Sequence, residues 1–194
     1  MKNIAIVLSC LLLATTCALA QIDPDPDGIG IYADLEGTEV SIQAEIGEIF
    51  PVYLLMTRPS TELGIAAWTA MIVAPLNCQI LAWNVQGGPY LSYASPPEFI
   101  VCFSEYPSPQ PIMHLLTFYC QMTNEYPGYF RVVGAPINGD PFDEAPCYLV
   151  EDDVETPHFM HGYPNGINEP MFAVNDDLTP VNAMSLTSVK SLFQ

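Results

Sequence analysis

Apolar residues recur along this chain in short runs of period two, each closed by a turn signal. In Ile49–Thr57, the side chains of Phe50, Val52, Leu54 and Met56 fall on one face. In Gln79–Val85, Leu81, Trp83 and Val85 point together. In Ile112–Met122, Leu116, Phe118, Cys120 and Met122 share a face, with His114 on it near the start. A two-residue repeat marks a strand, because successive side chains leave opposite faces of the pleat. Further strands are predicted over Ile29–Ala33, Glu39–Ile46, Gly64–Ala74, Phe99–Ser104, Tyr129–Gly134 and Cys147–Val150. Between the runs sit Ile46-Gly47-Glu48, Arg58-Pro59-Ser60, Gln86-Gly87-Gly88-Pro89, the prolines from Pro107 to Pro111, Tyr126-Pro127-Gly128 and Asn138-Gly139-Asp140-Pro141. These are chain-reversal signals. Their spacing predicts an all-β domain, an immunoglobulin-like or jelly-roll β-sandwich of about eight or nine strands over Ile29–Asp153. Pro51 donates no amide, so its strand should lie at an edge or begin after it. Nineteen prolines, and no long capped stretch of period 3.6, argue against helices in this body.

The two ends read differently. Lys2, the apolar run Ile4–Ala14 and the small residues of Ala18-Leu19-Ala20 have the order of a secretory signal peptide cleaved near Ala20/Gln21. Export to the medium or the cell surface is therefore expected. No other segment approaches the roughly 20 apolar residues of a membrane helix, so no membrane span is predicted. Gln21–Gly28 is an acidic Pro/Asp leader. From residue 154 to the end the chain reads as an irregular C-terminal extension: a Gly/Pro/Asn-rich loop over His158–Phe172, one last strand at Phe172-Ala173-Val174, and a tail. In that tail Leu186, Val189, Leu192 and Phe193 fall at helical spacing.

Charge narrows the partners. The chain carries 22 acidic residues against four basic ones, a formal charge of −18. Such a surface repels phosphate backbones and anionic lipid, which disfavours nucleic acid and membrane surfaces as partners. Half of the residues are apolar, enough for a packed core. Beyond the leader region lie Cys78, Cys102, Cys120 and Cys147, an even number, which in an exported chain predicts two disulfides. Consecutive strands often pair as a hairpin, which favours Cys102–Cys120 and leaves Cys78–Cys147. The chain has no Asn-x-Ser/Thr sequon, which leans towards a bacterial source.

The order of features from Glu48 to Met122 resembles the cohesin-type, immunoglobulin-like sandwiches of bacterial extracellular proteins. The apolar strand Phe50–Met56 is followed by Leu63-Gly64-Ile65 opening an alternating strand. Gln79-Ile80-Leu81-Ala82-Trp83-Asn84-Val85 with a Gly-Gly loop comes next, and later Pro111–Phe118. The resemblance covers about half the chain and implies a jelly-roll-like sandwich with a non-catalytic, adhesive or scaffolding habit. The opening Asp23-Pro24-Asp25-Pro26-Asp27-Gly28-Ile29-Gly30-Ile31-Tyr32 also resembles uncharacterised secreted proteins of environmental bacteria. Their Trp-Gly-containing tail, closed by Arg, is matched only in part by Leu186–Gln194.

Three groups of residues are candidate sites. Asp23, Asp25, Asp27, Gly28 and Asp34 fall at positions 1, 3, 5, 6 and 12 of a calcium loop, whose carboxylates converge on Ca²⁺ once glycine permits the sharp turn. Glu151, Asp152, Asp153 and Glu155, followed by His158 and His161, are a second possible gathering of ligands, with imidazole favouring a transition metal. Tyr90 and Tyr93, in a Gly/Pro/Ser loop, are the aromatics best placed to stack on a sugar, whereas Trp68 and Trp83 alternate with apolar neighbours and belong in the core. No Gly-x-Ser-x-Gly, His-Glu-x-x-His or phosphate-cradling loop occurs, and no catalytic residue is predicted. The expected function is a secreted or cell-surface module for adhesion, scaffolding or protein binding. A carbohydrate-binding module is the alternative, and a secreted hydrolase the third reading. The partner is expected to be an extracellular protein or polysaccharide.

Overall fold

A computed structural model describes residues 23–136 and 145–178. The signal-peptide residues and the C-terminal tail after residue 178 lie outside it. Among the described residues every regular element is a strand: β1 Gly28–Tyr32, β2 Ser41–Ile42, β3 Ile49–Thr57, β4 Ile65–Val73, β5 Cys78–Val85, β6 Tyr90–Ser92 and β7 Glu98–Phe103. They continue as β8 Ile112–Met122, β9 Gly128–Val133, β10 Cys147–Val150, β11 Asp153–Phe159, β12 His161–Gly162 and β13 Phe172–Val174. Eight of these have five or more residues and five are shorter. The all-β sandwich read from the alternation is the fold observed.

Two sheets face each other. One runs β12-β1-β3-β8-β5, the other β11-β10-β4-β9-β13-β2, with β7 paired to β4 and β6 to β7. Along β4, the partners Met71↔Val133 and Thr69↔Cys147 show that β9 and β10 continue one line beside it, although the chain leaves that line between them. The core joins the sheets through rings. Trp83 and Phe118 from the first sheet meet Phe99 and Phe130 from the second, at centroid distances of 5.2 to 5.5 Å. Trp68 stacks on Phe99 at 5.7 Å, and Phe172 packs against Phe130 at 6.0 Å. Both tryptophans thus serve the core, as their alternation predicted.

Pro51 lies opposite Tyr119 of β8, while the pairing of β3 with β1 stops at Tyr53↔Tyr32. Its strand is central further along but an edge at the proline itself, which is where a missing amide is tolerated. Two bulges correct the predicted alternation. The register of β5 against β8 skips from Ile80↔Cys120 to Ala82↔Tyr119. Leu81 is therefore turned out, while Ile80, Trp83 and Val85 pack on the core. The register of β3 against β8 skips at Leu54/Leu55, which takes His114 off the face of Leu116 and Phe118. His114 accepts or donates a 2.9 Å hydrogen bond with Thr117 and sits edge-on to Tyr53. Burial holds its pKa below the ordinary histidine value, partly opposed by a hydrogen bond with the Leu116 backbone.

Neither expected disulfide is present in the structure, where Cys78, Cys102, Cys120 and Cys147 are all free. Strands β7 and β8 are consecutive but not a hairpin, because the proline-rich segment between them carries the chain from one sheet to the other. Cys102 and Cys120 therefore lie in different sheets, as do Cys78 and Cys147. Burial pushes the Cys78 thiol up to about 11 and that of Cys120 higher still, so neither is a ready thiolate.

The ends are more tightly integrated than their composition predicts. The leader is anchored at Asp23 and Gly28, and Met160, Met171 and Phe172-Ala173-Val174 are buried. β13 lies where the last strand was read. The predicted strand Glu39–Ile46 shrinks to the two residues of β2, whereas the exposed strand β11 forms where an irregular extension was expected to begin.

Candidate functional site

The leader reaches the body at the end of the first sheet, where β1, β3 and β12 meet. β12 runs parallel to β1, with Gly28↔His161 and Ile29↔Gly162 as partners. The His161 amide donates to the Asp27 carbonyl at 3.0 Å, and the Tyr163 amide to that of Ile29 at 3.0 Å. This pairing brings His161 against Asp23, although 138 positions separate them in the chain. Asp23 is only 2 % exposed. One of its carboxylate oxygens accepts the Asp25 amide at 3.0 Å, and the other stands 2.6 Å from His161 Nε2. One ligand atom each from Asp23, Asp25 and His161 lies within 4.8 Å of the other two, and the described residues hold no second group of this kind.

The alternating aspartates of the leader therefore split. Asp23 and Asp25 stay together. Asp27, held at a positive φ of 61°, turns away, and its Oδ1 accepts the Ser60 amide at 2.7 Å and the Tyr148 hydroxyl at 2.6 Å. Burial raises the Asp27 pKa, but the hydrogen bonds from Ser60 and Tyr148 outweigh it and hold the carboxyl below its ordinary value. Asp34 accepts the amides of Thr38 and Glu39 at 2.9 and 3.1 Å, and its carboxyl is likewise held low. Asp27 and Asp34 are thus engaged in fastening loops, and they do not close a loop around the point where Asp23 and Asp25 meet.

The acidic run at Glu151–Glu155 does not collect its histidines either. Asp153 accepts the amides of Glu155 and Thr156, and His158 stacks on Tyr148 with ring centroids 4.8 Å apart. Only His161 of that group enters a ligand cluster, and it does so with the leader. No sequence spacing announces that encounter, because it depends on a two-residue strand.

Tyr90 and Tyr93 are exposed, at 43 % and 68 %, on and just after β6 at the rim of the second sheet. The sequence singled them out as surface aromatics, and there they stand. It did not single out the outer face of β3, β8 and β5. Register places Pro51, Tyr119 and Ala82 in one row across these strands, and Tyr53, Thr117 and Asn84 in the next. Ile49 and Tyr119 are 54 % and 41 % exposed, and Leu81 stands out at the bulge. None of the chain's 22 acidic and four basic residues falls within these three strands. An uncharged patch on so acidic a protein was legible as composition. That its exposed members adjoin needed the register.

No protein-family model matches the chain, and no curated protein does. Its fold has solved counterparts. The sixth cohesin of Acetivibrio cellulolyticus scaffoldin B, solved in complex with a Cel5 dockerin, superposes with a TM-score of 0.51 at 11 % identity, covering 79 % of this chain and 100 % of that one. A type II cohesin domain from the cellulosome of the same organism gives a TM-score of 0.50 at 10 % identity, covering 78 % and 96 %. The cohesin-like resemblance holds as a distant likeness of fold.

Proposed function

We propose that this protein is a non-catalytic, extracellular protein-binding module that receives its partner on the outer face of β3, β8 and β5. The observation that carries this reading is the uncharged patch. Ile49, Pro51, Tyr53, Leu81 and Tyr119 offer apolar and aromatic area, with Gln79, Asn84 and Gln121 as hydrogen-bonding groups around it. Aromatic area with few charges is the composition of an interface centre, where burying an unpaired carboxylate would cost several kcal/mol. The cohesin folds support the reading at the level of habit, since one of them is solved holding a protein partner. The absence of a hydrolytic motif agrees with a binding role.

The test is capture of a protein from the medium of the source cells by immobilised mature protein and its variants. Capture of one species that is lost in Leu81→Asp and in Tyr119→Asp, and kept in Tyr90→Ala plus Tyr93→Ala, is the expected result. Capture indifferent to both aspartates overturns the proposed face. Binding on a glycan array that disappears in the Tyr90→Ala plus Tyr93→Ala variant would replace the protein partner with a polysaccharide one.

A further inference from the structure

We propose that Asp23, Asp25 and His161, with the Thr57 hydroxyl beside them, bind one divalent transition-metal ion of the zinc class and so pin the leader to the sandwich. The cluster has the right donors in the right envelope: two carboxylates and an imidazole whose ligand atoms lie within 4.8 Å of one another. Two carboxylates bring two negative charges to face a dication, and the strongly acidic chain raises the local concentration of cations.

The second observation comes from groups that lack partners. Thr57 Oγ1 is in a residue only 1 % exposed, and it makes no hydrogen bond. It points to the same spot as the Asp23 carboxylate oxygen that faces His161. A Cβ placed on Gly28 would lie 2.2 Å from Asp23 Oδ2 and 2.3 Å from Thr57 Oγ1. Asp23 Oδ2 and His161 Nε2 pair at 2.6 Å as carboxylate and imidazole, and neither makes a hydrogen bond. A buried polar atom left without a partner costs about 1–3 kcal/mol, and Thr57 Oγ1, unpartnered beside the carboxylate–imidazole pair, makes a cation the natural complement.

The donor types choose the ion. Calcium prefers six to eight oxygens, and Asp27 and Asp34, the other aspartates of the predicted calcium loop, are engaged elsewhere. An imidazole with carboxylates suits zinc, cobalt or nickel instead. Access is open on one side, since Asp25 is exposed and the His161 side chain is 42 % exposed while its Nε2 faces inward. The site stands apart from the docking face, so either proposal can fail without the other.

The experiment is calorimetric titration of chelator-stripped, mature full-length protein with zinc chloride, with thermal melts alongside. One saturable site is expected, with Tm raised by about 5–10 °C when free zinc is a hundredfold above Kd. His161→Ala should weaken binding by more than about 100-fold, since even partners that only orient a ligand matter 10- to 100-fold. Thr57→Val, which removes an unpartnered hydroxyl, should leave the metal-free melt unchanged or higher and still weaken zinc. Because His161→Ala also loosens a short strand, cobalt provides a check on the wild-type protein: visible absorption bands of nitrogen-and-oxygen ligation are expected. No saturable binding, binding undiminished in His161→Ala, calcium competing as well as zinc, or no cobalt bands would each overturn the site.

Discussion

Strands β4 and β5 read alike: both are apolar, both carry a tryptophan near the middle, and neither holds a charged residue. In the fold they part. β4 is flanked on one side by β7 and on the other by the line of β9 and β10, and all of its residues from Ile65 to Ala70 are buried. β5 ends its sheet with β8 as sole partner, and only one face of it packs on the core. Similar, uncharged chemistry thus becomes core in one strand and surface in the other, and the number of neighbours makes the difference. An edge strand with exposed apolar residues is a liability unless something covers it. The bulge that turns Leu81 outward bends that edge, and the proposed partner would cover it.

Six substitutions would break or sharpen the contrast. Trp68→Ala should have the largest effect, about 3–5 kcal/mol by urea denaturation, because it removes the ring that stacks on Phe99 from a site closed on both sides. Trp83→Ala, at the partly open rim of the same ring cluster, should cost less, and equal losses would dissolve the comparison. Next comes Ala67→Leu in β4, where added volume has nowhere to go and should cost about 1–3 kcal/mol, against little change for Ala82→Leu on the exposed side of β5.

Tyr148→Phe, in the strand beside β4, should cost about 1 kcal/mol at neutral pH by removing the hydroxyl donated to Asp27. Asp27 has a lowered pKa in the fold, so its contribution is present above the unfolded value near 4 and is lost as pH falls through the folded one. The gap between variant and wild type should therefore close in acid, and a gap unchanged at pH 2–3 would remove Asp27 from the explanation. The smallest effect belongs to Leu81→Asp. At an exposed bulge it should move stability by no more than about 0.5 kcal/mol while abolishing capture of the partner, which separates a docking residue from a structural one.

Much of the fold was legible because alternation is a local property. β3, β8 and β10 follow directly from the spacing of Phe50–Met56, Ile112–Met122 and Cys147–Val150, and Phe172–Val174 gave the last strand. The candidate site was half legible. Asp23 and Asp25 announce themselves as an acidic pair, but His161 is supplied from the far end of the chain by the parallel pairing of β12 with β1, and two residues leave no periodic trace.

The sequence by itself determined that this is a sandwich of short strands with an acidic surface and two core tryptophans, since strand period, turn residues and charge are written residue by residue. Tertiary structure alone decided which strands became neighbours. That choice set which cysteines could meet, where bulges turned Leu81 and His114 outward, and which distant histidine faces the leader. Such outcomes depend on sheet order and register, which arise from the packing of the whole chain and are encoded in no single segment.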